Sequence, residues 1–269
     1  MQFMDIKNGR FYLGDCLEVM KEIPDGVIDM LLVDLPYGTT SCSWDSVIPF
    51  DKLWEQYNRI CKENAAMVFT ASQPFTTALI ASNIDNFKYN WVWVKPQGVD
   101  PFMAKKRPLN NIEDVLIFCN GRVPYNPQLE KGKAYSITRD KKPRIKETNN
   151  GIMTETTTIN EGTRLPKRTL EFKQQKGIHP TQKPVELFEY LIRTYTNEGD
   201  LVLDNTAGSG TTAIAAENTG RKWVCIEQSE KYATKAVERI WNHEATPQQA
   251  SEVKIDPNIP VTEGEENGN

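Results

Sequence analysis

Nowhere in these 269 residues does an apolar run approach the roughly 20 residues needed to cross a bilayer, and Met1 to Arg10 hold no signal-peptide core. Neither a membrane span nor secretion is expected, and a cytoplasmic location is. Cysteine is scarce: Cys16, Cys42, Cys61, Cys119 and Cys225 are the five, and none stands at metal-ligand spacing from another. Reduced thiols are expected, with neither disulfides nor a metal site. Internal repeats are absent, which excludes a solenoid. A strong charge of one sign is lacking too, since the net charge is −4 with 25% charged residues. That balance speaks weakly against a nucleic-acid partner only if charge is spread evenly.

It is not. Between Arg122 and Lys183 stand fourteen Lys or Arg against six Asp or Glu, whereas beyond Ala245 five acidic residues face Lys254 alone. A basic run is often no more than a solvated surface, so it needs support from motifs. Val27 to Val33, VIDMLLV, reads as a buried strand that closes on Asp34, Pro36 and Gly38 in a tight turn. Phe50–Cys61 has helical spacing, Ala65–Thr70 reads as a strand, Pro74–Ala81 as a helix, and Tyr89–Val94 and Ile112–Cys119 as strands. The rhythm fails from Gly121 to Gly177, where Thr, Asn, Lys and Arg dominate. It returns with a helix from Pro184 to about Tyr195, a strand Leu201–Leu203, a helix Thr211–Asn218, a strand Lys222–Ile226 and a helix Glu230–Trp241. This divides the chain into an α/β half over 1–120, a basic insert over 121–178, a second α/β half over 179–245 and a disordered acidic tail over 246–269.

Two constellations carry chemistry. LVLDNTAGSGTTAIA, Leu201 to Ala215, is a strand, a glycine turn and a helix start, where Gly208 and Gly210 allow a ligand to approach backbone N–H groups. No Gly-Lys-Ser/Thr follows and the G-x-G-x-x-G fingerprint is incomplete, so phosphate is disfavoured. Asp204 attracts an ammonium or sulfonium group, and Glu227, ending the next strand, suits two ribose hydroxyls. A cationic nucleoside without phosphate fits, S-adenosylmethionine; the competing reading is an ordinary tight loop. The second constellation is Asp34-Leu35-Pro36-Tyr37. Its carboxylate and the Pro36 carbonyl can together accept both hydrogens of one NH2 group, and Tyr37 can stack on a ring. Alone, an Asp-x-Pro turn after a strand is commonly structural.

Together LVDLPYG, HPTQKPVEL and LDNTAGSGTT resemble the amino-methyltransferase family that acts on DNA, and their order resembles its circularly permuted β-class. The resemblance runs from Gly14 to about Tyr232. It implies a Rossmann-like S-adenosylmethionine-dependent methyltransferase fold, with a mostly parallel seven-stranded sheet and helices on both faces. It implies that Asp34, the Pro36 carbonyl and Tyr37 hold a flipped base, and that Asp204, Gly208, Gly210 and Glu227 hold the cofactor. Thr181 and Lys183 are implied near its methionine end and Asp15 near its adenine; Trp93, Lys95 and Pro96 resemble a segment flanking the base pocket, or simply pack. The sequence departs from the family at Leu35, where Pro is usual, a form that resembles phage and prophage enzymes. It departs again at Thr206, where an aromatic residue is usual and packs around the cofactor.

The function implied is site-specific methylation of N6 of adenine in double-stranded DNA, as in restriction-modification, because Asp rather than Ser opens the tetrapeptide. N4 of cytosine is the alternative, and a catalytically silent DNA-binding protein of the same fold is the rival from another class. Carbon-5 cytosine methylation is disfavoured, since no Pro-Cys dipeptide supplies a nucleophile. Target recognition is expected from two basic clusters, Arg139, Lys141, Lys142, Arg144 and Lys146, and then Arg164, Lys167 and Arg168. The resemblance also allows a homodimer.

Overall fold

The computed structural model describes residues 2–39, 45–99, 101, 104–139, 156–175, 177–179 and 181–243. It falls into two compact units, one made of the chain up to Asn126 and from Arg168 onward, the other of Pro127–Lys167. The expected insert of 121–178 is thus wider than the separate unit.

The larger unit opens with a hairpin, β1 (Gln2–Ile6) and β2 (Gly9–Leu13), followed by α1 (Cys16–Lys21) and β3 (Ile28–Val33). Then come α2 (Phe50–Ile60), β4 (Cys61–Ala71), α3 (Phe75–Ser82), β5 (Phe87–Val99) and β6 (Asn110–Phe118). The smaller unit holds β7 (Glu130–Lys131), β8 (Tyr135–Arg139), β9 (Thr156–Asn160) and β10 (Thr163–Arg164), paired antiparallel as β7 with β10 and β8 with β9. The chain returns to the larger unit with β11 (Thr169–Glu171), α4 (Val185–Tyr195), β12 (Leu201–Asp204), α5 (Thr211–Asn218), β13 (Lys222–Glu227) and α6 (Glu230–Trp241).

One sheet of nine strands runs β1-β2-β13-β12-β3-β4-β6-β5-β11. It is the expected mostly parallel sheet with a strand added at each edge. β1 folds back on β2 around Lys7, and β11 pairs parallel with β5, so residues 169–171 belong to the sheet and not to an insert. Pro184 stands at the N-cap of α4 rather than in its first turn.

The alternation of strand side chains assigns the two faces. Met30, Leu32, Val202, Trp223 and Cys225 point to the face covered by α4, α5 and α6, with Leu191, Tyr195, Ala215 and Ile240 packed there. Leu31, Val33, Leu203, Val224 and Ile226 point to the opposite face and meet Met20, Leu53, Tyr57 and Leu79 of α1, α2 and α3. Four neighbouring strands, β2, β13, β12 and β3, are parallel, so the residues that follow them, Gly14, Gln228, Asn205 and Asp34, emerge along one edge. β4 runs with them and β6 runs against β4, with Ala71 opposite Asp114, which brings the start of β6 to the same edge.

Candidate active site

Along that edge the turns enclose a cavity of about 280 Å³. Of the residues singled out in the sequence, Asp15, Asp34, Pro36, Thr181, Lys183, Asp204, Gly208 and Glu227 line it. Tyr37 and Gly210 do not. Gly210 is needed for another reason: its φ is 72°, and a Cβ there would stand 2.9 Å from Ile240 Cδ1 of α6. It therefore packs a helix rather than admitting a ligand. Gly208, at φ 52°, shares the left-handed backbone and faces the His179 ring.

The acidic groups of the cavity are held from behind. Glu227 accepts the Gly208 N–H at 2.9 Å on one oxygen and the Ser229 N–H at 2.8 Å on the other. Each oxygen keeps a lone pair for a ligand. Asp204 accepts the Thr212 hydroxyl at 2.5 Å and the Thr206 N–H at 3.1 Å. Burial nevertheless pushes its carboxyl up to about 7, with the Asp34 and Glu227 charges adding to the rise. Asp15, which lines the cavity, caps α1 by taking the Leu17 and Glu18 N–H groups on Oδ1, which leaves Oδ2 out of the cap. Cys16 beside it is buried, and burial pushes its thiol up to about 11. Two polar atoms of lining residues, Asn205 Nδ2 and Gln182 Oε1, are buried without a partner among the described residues.

Where the cavity meets the β3 turn, a group of charges closes its wall. Asp34 Oδ1 accepts the Thr70 hydroxyl at 2.5 Å and lies 2.9 Å from the Tyr37 hydroxyl, while Oδ2 accepts Lys183 Nζ at 2.6 Å. Lys183 also lies 3.1 Å from Glu113 Oε1, whose other oxygen pairs with Lys95 Nζ at 2.6 Å. The Tyr37 hydroxyl is 3.0 Å from Glu113 as well, and its ring stacks on Phe75 with centroids 5.0 Å apart. Burial opposes charge on Lys183, yet Asp34 and Glu113 outweigh it and hold the ammonium protonated. Burial likewise opposes charge on Glu113, and Lys183 and Lys95 hold its carboxyl below the usual range. Burial and the two neighbouring carboxylates keep the Tyr37 phenol from ionising.

Sequence reading missed two members of this wall. Glu113 and its neighbour Asp114 interrupt β6, NNIEDVLIF, just ahead of its apolar end, a signal that was available; Thr70 ends a strand and gave none. Thr206, which stands where an aromatic is usual, donates its hydroxyl to the Asp34 carbonyl at 3.0 Å and so ties the glycine turn to the Asp34 turn. Trp91 and Trp93 are core residues, bonded through Nε1 to the Tyr195 hydroxyl and the Phe172 carbonyl, whereas Lys95 joins the charged wall. His179 packs edge-on against Tyr232 and meets Thr181 Oγ1 at 3.0 Å; burial lowers its pKa.

The basic residues divide differently. Lys141, Lys142, Arg144, Lys146 and the side chain of Arg139 lie outside the described residues, as do Cys42 and the tail 246–269. Arg164 is engaged within its own unit. Its guanidinium donates to Asn160 Oδ1 and to the Lys133 and Thr163 carbonyls and lies over the Tyr135 ring, so it joins the strands of that unit. Arg168 is bound to Asn90 through the backbone carbonyl and Oδ1. Lys167 is exposed. Among the described residues no helix is long and apolar enough to cross a membrane and no group of three or more His, Cys, Asp or Glu could hold a metal ion; the four described cysteines are buried free thiols.

Comparison with known proteins adds four findings. The model of the N6/N4 DNA methylase family matches residues 28–238. Type II methyltransferase M1.MboII of Moraxella bovis is 26% identical over 246 residues, which cover 82% of this chain and 92% of that protein. Among solved structures, the M1.HpyAVI–SAM complex is 22% identical with a TM-score of 0.58, covering 86% of this chain and 98% of that one. The PvuII cytosine-N4-specific DNA methyltransferase is 19% identical with a TM-score of 0.61, covering 88% and 94%. The two structural likenesses speak for the fold.

Proposed function

The chain belongs to the N6/N4 DNA methylase family, and from that premise we propose that it is a site-specific enzyme that moves a methyl group from S-adenosylmethionine to N6 of adenine in double-stranded DNA. We place its work in the cytoplasm, within a restriction-modification system, a reading supported by its likeness to a Type II methyltransferase. The observation that carries the reading is the position of Asp34, whose carboxylate stands at the cavity wall with Oδ2 turned away from Thr70 and Tyr37.

The cavity suits S-adenosylmethionine on its own chemistry. Buried Asp204, charged only with difficulty, favours a cation beside it, and Glu227 offers two fixed acceptors to a diol. Asn205 Nδ2 calls for an acceptor and Gln182 Oε1 for a donor, and a nucleoside carries both. When bound, this group supplies an electrophilic methyl.

The protein's own part is orientation. Extruding the base from the duplex costs a few kcal/mol, offset by stacking and hydrogen bonds in the pocket. Asp34 Oδ2 and the Pro36 carbonyl then accept one hydrogen each from the amino group, which turns its nitrogen lone pair toward the cavity. Asp34 also favours the positive charge that develops on that nitrogen. The phenol of Tyr37, kept neutral between Asp34 and Glu113, fixes the ring against Phe75 and presents its other face. Lys167 and the cluster Arg139, Lys141, Lys142, Arg144 and Lys146 are proposed as phosphate contacts.

N4 of cytosine requires the same acceptors, so the two bases are separated by product. Unmethylated genomic DNA incubated with methyl-labelled S-adenosylmethionine and digested to nucleosides should give labelled N6-methyldeoxyadenosine. Labelled N4-methyldeoxycytidine would keep the chemistry and overturn the base.

A further inference from the structure

Lys183 occupies the place that this reading assigns to the substrate. Asp34 Oδ1 is already taken by Thr70 and Tyr37, so the oxygen left for a base amino group is Oδ2, and Lys183 Nζ lies 2.6 Å from it. An ammonium and an amino group cannot share that oxygen along the same direction, so the lysine must withdraw as the base enters. It has little freedom to do so. The Lys183 side chain is 8% exposed, and a buried ammonium moved away from every anion is strongly disfavoured. The second anion beside it is Glu113 Oε1 at 3.1 Å, 5% exposed and anchored through its other oxygen by Lys95. The side chain of Asp34, in contrast, is 22% exposed, the more open of the two carboxylates.

We infer that Glu113 is a positioning residue that takes over the Lys183 ammonium and so releases Asp34 for the nucleobase amino group. The inference rests on the methyl-transfer reading but not on the identity of the base. Glu113 is not among the residues that line the cavity, and it acts through Lys183. Without its charge, the anion left within reach of Lys183 is Asp34 itself, and the lysine stays on the oxygen that the base needs.

The test is a double-mutant cycle on the full chain at saturating S-adenosylmethionine, with unmethylated genomic DNA as acceptor. Glu113→Gln should lower the turnover number about tenfold or more while leaving the KM for S-adenosylmethionine unchanged. General damage to the cavity would move both. Glu113→Asp, which restores the charge one methylene short, should recover part of the rate. Lys183→Gln removes the occupant of Oδ2, so on that background, whatever its own rate, adding Glu113→Gln should change the rate less than about twofold. If Glu113→Gln does not fold, Glu113→Asp carries the same comparison, slower than wild type with Lys183 present and without effect on Lys183→Gln. Unchanged turnover in Glu113→Gln, a loss of turnover matched by a raised KM for S-adenosylmethionine, or additive losses in the double variant would each overturn the inference. Absence of label in DNA with the wild-type chain would instead refute methyl transfer to DNA, and this inference with it.

Discussion

Asp204 couples cofactor binding to pH, and the sign follows from its surroundings. Burial raises its carboxyl from an ordinary 3.8 to about 7, against the pull of the Thr212 hydroxyl and the Thr206 N–H. A cation arriving beside it favours the charged form, so binding releases a proton. With a pKa of about 7 in the empty protein, about nine in ten molecules carry the proton at pH 6 and about one in ten at pH 8. Affinity for S-adenosylmethionine should therefore rise about tenfold between these values, about 1.4 kcal/mol. Folding runs the other way. A carboxyl whose folded pKa lies above its unfolded one destabilises the fold progressively as pH rises from about 4 to 7, by at most about 4 kcal/mol. Asp204→Asn keeps the geometry, since its Oδ1 can accept the Thr206 N–H and its NH2 can donate to a rotated Thr212 hydroxyl. The variant should bind the cofactor more weakly at pH 8, with a flatter pH profile, and its ligand-free form should melt higher than wild type at pH 8. Calorimetric titrations at pH 6, 7 and 8 read the first effect and thermal melts the second. Glu227 and His179 face the same cavity and also titrate, so the decisive quantity is the difference between wild type and Asp204→Asn. Parallel pH profiles for the two proteins would refute the reasoning.

Asp34→Ala should reduce methyl transfer at least about 100-fold with cofactor affinity changed less than about threefold, because it removes orientation and charge stabilisation from the reacting nitrogen alone; turnover and equilibrium binding measured on one preparation check this. Gly210→Ala should destabilise the protein by about 1–3 kcal/mol, from the positive φ and the 2.9 Å approach to Ile240, read as a lower denaturation midpoint with unchanged slope. Thr206→Val loses the bond to the Asp34 carbonyl and should lower turnover several-fold with a smaller effect on melting, measured by rate assay and thermal melt. Charge reversal of Lys141, Lys142 and Arg144 together should weaken DNA binding and lower the salt slope by up to about three contacts, whereas Arg164→Ala should act mainly on stability; binding titrations at several salt concentrations, with melts, separate them.

What the sequence made legible were features written locally. The runs closing on Asp34 and Asp204 and the strand ending at Glu227 show both the elements and the edge at which ligands meet them, because apolar β-branched strands and glycine turns are short-range signals. The opening hairpin also carried a signal, Asn8-Gly9 between alternating strands, but its charged and exposed residues hid it. β11 was not legible, since three residues within a polar stretch become a strand only by pairing with β5. The charged wall was least accessible. Asp34, Glu113 and Lys183 lie 70 or more residues apart along the chain, and only the antiparallel return of β6 beside β4 brings Glu113 to the other two. The same holds for Arg164: composition marks it as basic, but its neighbours decide that it braces its own unit.

The most direct test of the account is the fate of the methyl group. Purified protein, methyl-labelled S-adenosylmethionine and unmethylated double-stranded DNA, followed by digestion and separation of nucleosides, should yield label in N6-methyldeoxyadenosine with the wild type and none with Asp34→Ala. Label in N4-methyldeoxycytidine would contradict the choice of base, and wild-type label retained in Asp34→Ala would contradict the mechanism.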